Sequence, residues 1–282
     1  MNTLAQLIPK NTRLPEQIET ILVATDFSDA SGNAYLYALE LAARFRAEIV
    51  LVHVQTIGAE PRSDIQFERF LSNYRGFERA AAEQVGGNPI KIKPVLQRGE
   101  AGEELLSLSE EFGADLIIMG TQGAASHDHK VLGSVAARII AKAQCPVLAV
   151  PAEASFQPIE QIVYGLAFAE GDKSVIDFLL DFAQPMGAQI SCVHISTKPN
   201  VLEEVELAEY RDLYGSEQSP VYFQMAQSDD LFHALQEVIS QVKADMLVMN
   251  TRERKLLEKI FDPSLTRTML MYADLPLLAL HV

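Results

Sequence analysis

The chain has 282 residues, 48% of them hydrophobic, enough for one large domain or two ordinary ones with a real core. Its 23 basic and 38 acidic residues leave a net charge of −15. The balance is 14 basic to 18 acidic up to position 150 and 9 to 20 beyond it, so neither half carries a basic footprint and nucleic-acid binding is disfavoured. No apolar run approaches ~18 residues, so no transmembrane helix is expected.

Residues 1–18 contain Pro9 and Pro15 and no clear period, and read as an N-terminal extension. They lack a charged region followed by a long apolar stretch, so no secretory signal is expected. Short β-branched runs then alternate with amphipathic segments. Strands are predicted at 20–25, 48–54, 91–96, 115–120 and 146–150, and helices near 30–46, 65–85, 101–112 and 134–144. Ser28 or Asp29 is placed to cap the first helix. His53 falls inside a strand run and reads as a satisfied core histidine. Such alternation predicts a parallel sheet with helices on both faces. Ligands of that architecture sit beyond the carboxyl ends of the strands, where the strand order switches. Asp26, Val54 and Gly120 all fall at such ends.

The fourth predicted strand runs into Gly120-Thr121-Gln122-Gly123, and after nine more positions Gly133-Ser134 opens a helix. Glycine lets backbone approach a ligand closely. A helix N-terminus offers unpaired N–H groups and a partial positive charge. Ser134 adds a hydroxyl donor, so the pattern reads as a cradle for a phosphorylated ligand. Neither G-x-x-x-x-G-K-[ST] nor G-x-G-x-x-G is present, which disfavours a P-loop enzyme and a nicotinamide dehydrogenase. The intervening loop holds His127-Asp128-His129-Lys130. Lys130 can neutralise phosphate charge. The His-Asp-His run falls short of a zinc ligand set, so no metal site is expected and the loop reads as one that orders on nucleotide binding.

The chain then repeats itself. Residues 47–54 return at 188–195, an offset of 141, while 114–119 and 145–150 return at 244–249 and 275–280, an offset of 130. The second copy is therefore 11 residues shorter between its second and fourth strands. So long a period indicates duplicated domains. The join is expected at 151–160, with Pro151 and Pro158 as breakers. Cys145 and Cys192, one per copy beside apolar strand residues, read as buried reduced thiols of a cytosolic protein.

Gly120-x-x-Gly123-x9-Gly133-Ser134 resembles the ATP-binding signature of the universal stress protein family. Residues 21–28, Leu51-Val52-His53-Val54 and Pro146-Val147-Leu148-Ala149-Val150 resemble that family's first, second and last strands, so the likeness covers roughly 19–150 in order. It implies an α/β fold of two tandem Rossmann-like domains of the adenine nucleotide alpha hydrolase type. Each would be a five-stranded, parallel-type sheet with helices on both faces, spanning 19–152 with the motif intact and 158–282 in degenerate form. The resemblance also implies ATP as ligand, with or without Mg2+. Asp26 would accept the ribose hydroxyls, and Ala24 and Thr25 would line the purine. Val54 would meet adenine through its N–H and C=O, and the Met119 and Gly120 backbone would face the sugar. Gly123, Gly133, Ser134 and the Val135 amide would hold the phosphates, with Lys130 beside them. Asp26 also reads as a carboxylate serving the helix dipole next to Ser28, and Gly133-Ser134 as an ordinary N-cap.

The second copy departs from this pattern. Asp26 corresponds to Ala167, Gly120 to Asn250, Gly123 to Glu253, and Gly133-Ser134 to Pro263-Ser264. It is not expected to bind ATP in the family manner. Arg252, Arg254, Lys255 and Lys259 cluster there, as a site for another anion or as a solvated face. The leading expectation is a cytoplasmic tandem universal stress protein, a stress-response regulator or adaptor whose nucleotide signals occupancy to an unknown protein partner. A slow Mg2+-dependent ATP-hydrolysing enzyme and a nucleotide-free dimerisation scaffold are the alternatives. Family members resemble dimers joined through their fifth strands, here 146–150 and 276–281. Both runs are apolar, and an exposed apolar edge invites association. Pairing them within one chain, at high effective concentration, gives an intrachain pseudo-dimer, with further homodimerisation through another surface left open.

Overall fold

A computed structural model describes residues 14–56, 63–122, 132–216, 218–250 and 275–282. The first repeat runs β1 (Thr20–Ala24), α1 (Asp29–Phe45), β2 (Glu48–Gln55), α2 (Ser63–Gln84), β3 (Ile92–Arg98), α3 (Ala101–Glu111), β4 (Leu116–Gly120), α4 (Ser134–Lys142) and β5 (Val147–Val150). The second runs β6 (Gln161–Gly165), α5 (Asp172–Ala183), β7 (Gln189–Ser196), α6 (Val201–Tyr214), β8 (Val221–Gln227), α7 (Leu231–Val242), β9 (Met246–Asn250) and β10 (Leu277–Leu280). The fold class is the one expected: an α/β protein with a parallel-dominated sheet covered by helices on both faces.

All ten strands join one sheet in the order β3-β2-β1-β4-β5-β10-β9-β6-β7-β8. The neighbours are parallel except at the centre, where β5 and β10 run antiparallel with Leu278 opposite Leu148 and Ala279 opposite Val147. Read outward from that junction, the two halves have the same order. Their registers also match: Thr20 faces Glu48 as Gln161 faces Gln189, and Ile21 faces Leu116 as Ile162 faces Met246. The two five-stranded sheets read from the sequence are thus halves of a continuous one.

Strands buried on both faces must be apolar throughout, and Leu116–Gly120 and Val147–Val150 are buried along their whole length. On one face a single apolar layer lies under α1, α2, α5 and α6 and runs through both repeats. On the other face Leu105, Ile139 and Ile140 pack from α3 and α4, and Leu235 and Val238 pack from α7. Cys145 and Cys192 are both buried and free. Burial, then the Asp115 charge, pushes the Cys145 thiol up to about 12.

Several small devices occur twice. The Asp115 carboxylate accepts the N–H groups of Glu19 and Thr20, both at 2.9 Å. Asp245 does the same for Glu160 and Gln161, at 2.9 and 2.8 Å. Each tie pins the start of a central strand to the end of the helix–strand loop beside it. The join at 151–160 is packed onto the first repeat: the Asn33 amide donates to the Pro151 and Ala154 carbonyls, and Tyr37 donates to that of Ser155. No helix among the described residues is long and apolar enough to cross a membrane.

Candidate functional site

The site begins with a difference in where the strands end. β1 lies between β2 and β4, and its ladder with β2 ends where Ala24 faces Val52. Both neighbours run on beyond it. Along a parallel strand, successive residues aim their N–H and C=O groups to opposite sides. On β2, the bonds from Ile49 N–H to the Lys91 carbonyl and from Gly99 N–H to the Gln55 carbonyl turn the odd residues toward β3. Val54 therefore turns its N–H and C=O the other way, into the lane above β1. On β4, Ile117 N–H bonds the Pro146 carbonyl and Thr121 N–H bonds that of Val150. Gly120 thus faces the same lane from the opposite side.

This lane opens into a cavity of about 400 Å³ at the carboxyl ends of the strands. That size suits a small-molecule ligand. Of the residues picked out from the sequence, Ala24, Thr25, Asp26, Val54, Met119, Gly120, Gly133, Ser134 and Val135 all line it. Gly123 and Lys130 lie outside the described residues, as does His127-Asp128-His129. Ser31, Val52, Ala101 and Leu105 also contribute to the wall and were missed. Ala101 and Leu105 lie four apart on the first turns of α3, a spacing that marks a shared helix face, but no motif points to it. A larger cavity of about 980 Å³ lies at the other end of the strands, beside Thr20, Glu48 and Arg46. It contains none of the signature residues.

The turn after β1 is held from within. The Thr25 hydroxyl lies 3.1 Å from that of Ser31 and accepts the Phe27 N–H at 3.0 Å. Asp26 Oδ1 accepts from the Ser28 amide at 3.1 Å and the Ser28 hydroxyl at 2.5 Å. Ser28 is the N-cap of α1 and accepts from Ser31 N–H. Asp26 therefore organises the start of the helix, as one of its two readings anticipated, while also lining the cavity. Phe27 takes the left-handed conformation at φ 65°, unusual for a bulky residue. Its ring packs 4.3 Å from that of His53, whose Nδ1 bonds the Thr25 carbonyl at 2.8 Å. His53 is satisfied as expected, half-buried beneath the turn.

On the facing side, α4 starts at Ser134 with Gly133 as N-cap and no side-chain cap bond. The Gly133 amide is taken by the Thr121 carbonyl at 2.7 Å, while the first turn of the helix leaves N–H groups that no intrahelical partner can satisfy. Gly133 has φ −63° and ψ 148°, a conformation open to any residue. What glycine supplies is space, since a Cβ there would stand 3.1 Å from the Thr121 carbonyl oxygen. At Gly120 a Cβ would stand 3.1 Å from the Ala30 backbone, so this glycine also lets α1 sit close to β4. The wall made by α3 and α4 is pinned at its rim. Glu100 caps α3, accepting from the Gly102 and Glu103 amides, and pairs with Arg138 of α4. Those amides and the guanidinium hold its carboxyl below the usual range.

The corresponding turn of the second repeat is built differently. Asp172 stands where the first repeat has Ser31. It is 1% exposed, and its carboxylate accepts the Tyr164 hydroxyl at 2.5 Å and the Ala167 and Ala169 amides at 3.2 and 2.9 Å. The turn's own donors are thus consumed by a side chain of the same repeat. The Phe–His brace is kept: Phe168, at φ 56°, packs 4.1 Å from His194, whose Nδ1 bonds the Leu166 carbonyl at 3.0 Å. Positions 253, 263 and 264 lie outside the described residues.

Comparison with known proteins adds to this geometry. The model of the universal stress protein family matches residues 17–151. A universal stress protein of Methanocaldococcus jannaschii is 33% identical over 139 residues, covering 46% of this chain and 80% of that protein. The chain belongs to the universal stress protein family. A universal stress protein of Mycobacterium tuberculosis is 28% identical over 198 residues, 68% of this chain and 70% of that one. The crystal structure of a universal stress protein from Archaeoglobus fulgidus superposes over 95% of this chain and 98% of its own, with a TM-score of 0.70 at 17% identity. The fold of this universal stress protein is therefore shared, across both repeats, with a solved member.

Proposed function

We propose that this universal stress protein binds one adenine nucleotide, ATP, in the lane above β1 of its first repeat. The observation that carries the reading is the pair of backbone edges at Val54 and Gly120, facing one lane beside an α4 N-terminus without a side-chain cap. A donor and acceptor on Val54 suit a purine edge. The Asp26 carboxylate suits vicinal ribose hydroxyls, and the first amides of α4 with Ser134 suit phosphates. The family resemblance would add Gly123 and Lys130 to the phosphate end.

In this reading residues 19–152 form a nucleotide-binding domain, 158–282 a degenerate second one, and 1–18 an extension. The second domain covers the β5 edge that would otherwise be exposed, and the filled turn around Asp172 supports its being nucleotide-free. The protein then acts as a cytoplasmic regulator or adaptor, its occupancy read by a protein partner. Mass spectrometry of small molecules released from freshly purified protein tests this, with ATP or ADP expected. Incubation with ATP and Mg2+, followed by product analysis, tells a binding protein from a slow ATP-hydrolysing enzyme.

A further inference from the structure

The helix α6 is anchored by little and exposes much. Of its 14 residues only Leu207 and Tyr210 are buried. A capping box between Asn200 and Glu203 fixes its start, and Tyr214 ties its end to Asp177 at 3.1 Å. The opposite side presents Val201 and Leu202, 73% and 76% exposed, with Val205 and Leu213 close behind. At 100° per residue, Val201, Val205 and Asp212 share one stripe, and Leu202, Glu209 and Leu213 share the next. Apolar and acidic side chains therefore alternate on the surface that faces away from the core.

The charge sets this helix apart from its counterpart in the first repeat. α6 carries Glu203, Glu204, Glu206, Glu209 and Asp212 against the single Arg211. α2 holds the same place in the first repeat, with four acidic and three basic residues. Arg211 is already engaged, donating to the Phe223 carbonyl at 3.0 Å. That bond also bears on the mode of docking. Ile190 N–H bonds the Pro220 carbonyl and Ser228 N–H bonds that of Ser196, so the even residues of β8 face β7 and the odd ones face outward. On this outer edge Arg211 takes the Phe223 carbonyl and the Ser219 hydroxyl takes the Val221 amide. Two of that edge's outward groups are therefore already taken, which favours the helix face over an added strand.

We propose that the exposed face of α6 docks a cationic amphipathic helix of a partner protein. Its apolar stripe would cover Val201, Leu202 and Val205, and its Lys or Arg residues would meet Glu209 and Asp212. A second copy of this chain is a poor occupant, because two-fold pairing would bring two acidic helices together. The proposal is independent of nucleotide binding in the first repeat.

The test is fluorescence anisotropy of the intact protein with a labelled synthetic peptide of about 18 residues, with Leu at helical spacing and Lys elsewhere. A second peptide has the same composition with the spacing scrambled. The periodic peptide should bind at least about tenfold more tightly than the scrambled one. The double change Leu202→Gln and Val205→Gln should remove most of that preference, and so should Glu209→Gln with Asp212→Asn. Circular dichroism confirms that each variant is folded. Equal binding of the two peptides would reduce the interaction to attraction for an acidic surface and overturn the proposal. So would unchanged binding in the Leu202/Val205 variant, or no binding of the periodic peptide at all.

Discussion

Val54 and Gly120 turn their backbone polar groups toward the same lane, one from each neighbour of β1, because β1 stops at Ala24 while β2 and β4 continue. A central strand that ends before both its neighbours leaves their last donors and acceptors on that side beyond its ladder. Backbone groups of this kind are costly to leave without a partner, and in the proposed reading a ligand edge would answer the need.

The phosphate end of this lane is testable through Gly133. Valine fits its φ of −63°, so the fold should survive Gly133→Val, with a shift of a few tenths of an ångström where the Cβ meets the Thr121 carbonyl at 3.1 Å. Nucleotide binding should be abolished. Asp26→Ala should weaken binding less, by about 1–3 kcal/mol, the usual range for a hydrogen bond to a charged group. Affinity measurements on both variants, with circular dichroism as a control, decide the matter. Wild-type affinity in both would remove the lane as the site.

The twin carboxylates make a paired prediction about stability. Asp115→Ala and Asp245→Ala each delete an acceptor shared by two backbone amides. Each should cost about 1.5–3 kcal/mol, measured from denaturant midpoints. A cost below about 0.5 kcal/mol at either position would mark that tie as incidental.

Burial lowers the pKa of His281 to about 4. An unfolded chain holds its histidine near pH 6.5, so between about pH 6.5 and 4 the unfolded state takes up a proton that the folded state refuses. Stability should therefore fall as pH drops through that window, by at most about 3 kcal/mol, and be indifferent to this group above it. His281→Gln should flatten that part of the profile. An unchanged slope would mean that the histidine protonates in place.

The β5–β10 junction predicts how a half-chain behaves. Val147, Leu148 and Ala149 are buried against β10 in the whole protein. Residues 1–152 expressed alone should form homodimers or aggregate through that edge, as light scattering after gel filtration would show. A soluble, strictly monomeric fragment would contradict the shared-edge account.

Much of this architecture is legible in the amino-acid sequence. The apolar runs at 49–52 and 116–119 mark strands because burial on both faces leaves no room for polar residues, and the returns at 188–195 and 244–249 reveal the second set. The Gly-Ser pair at 133–134 marks the start of α4 for a local reason, the need for space beside the Thr121 carbonyl. Other features depend on tertiary contacts that no local pattern records. Ser31 belongs to the cavity because α1 turns its first residues inward, and Ala101 and Leu105 belong because α3 crosses the sheet beside α4. Asp172 looks like an ordinary helix-start carboxylate, and its role in filling the second turn emerges only with Tyr164 beside it. The packing of 151–160 onto Asn33 and Tyr37 is invisible in a segment that reads as a breaker-rich join.

The central claim, one nucleotide per chain held in the first repeat, is tested most directly by calorimetric titration of the nucleotide-stripped protein with ATP. The account predicts a stoichiometry near one, lost in Gly133→Val. A value near two would show that the second repeat binds despite Asp172 and Asn250, and no detectable binding at all would contradict the account outright.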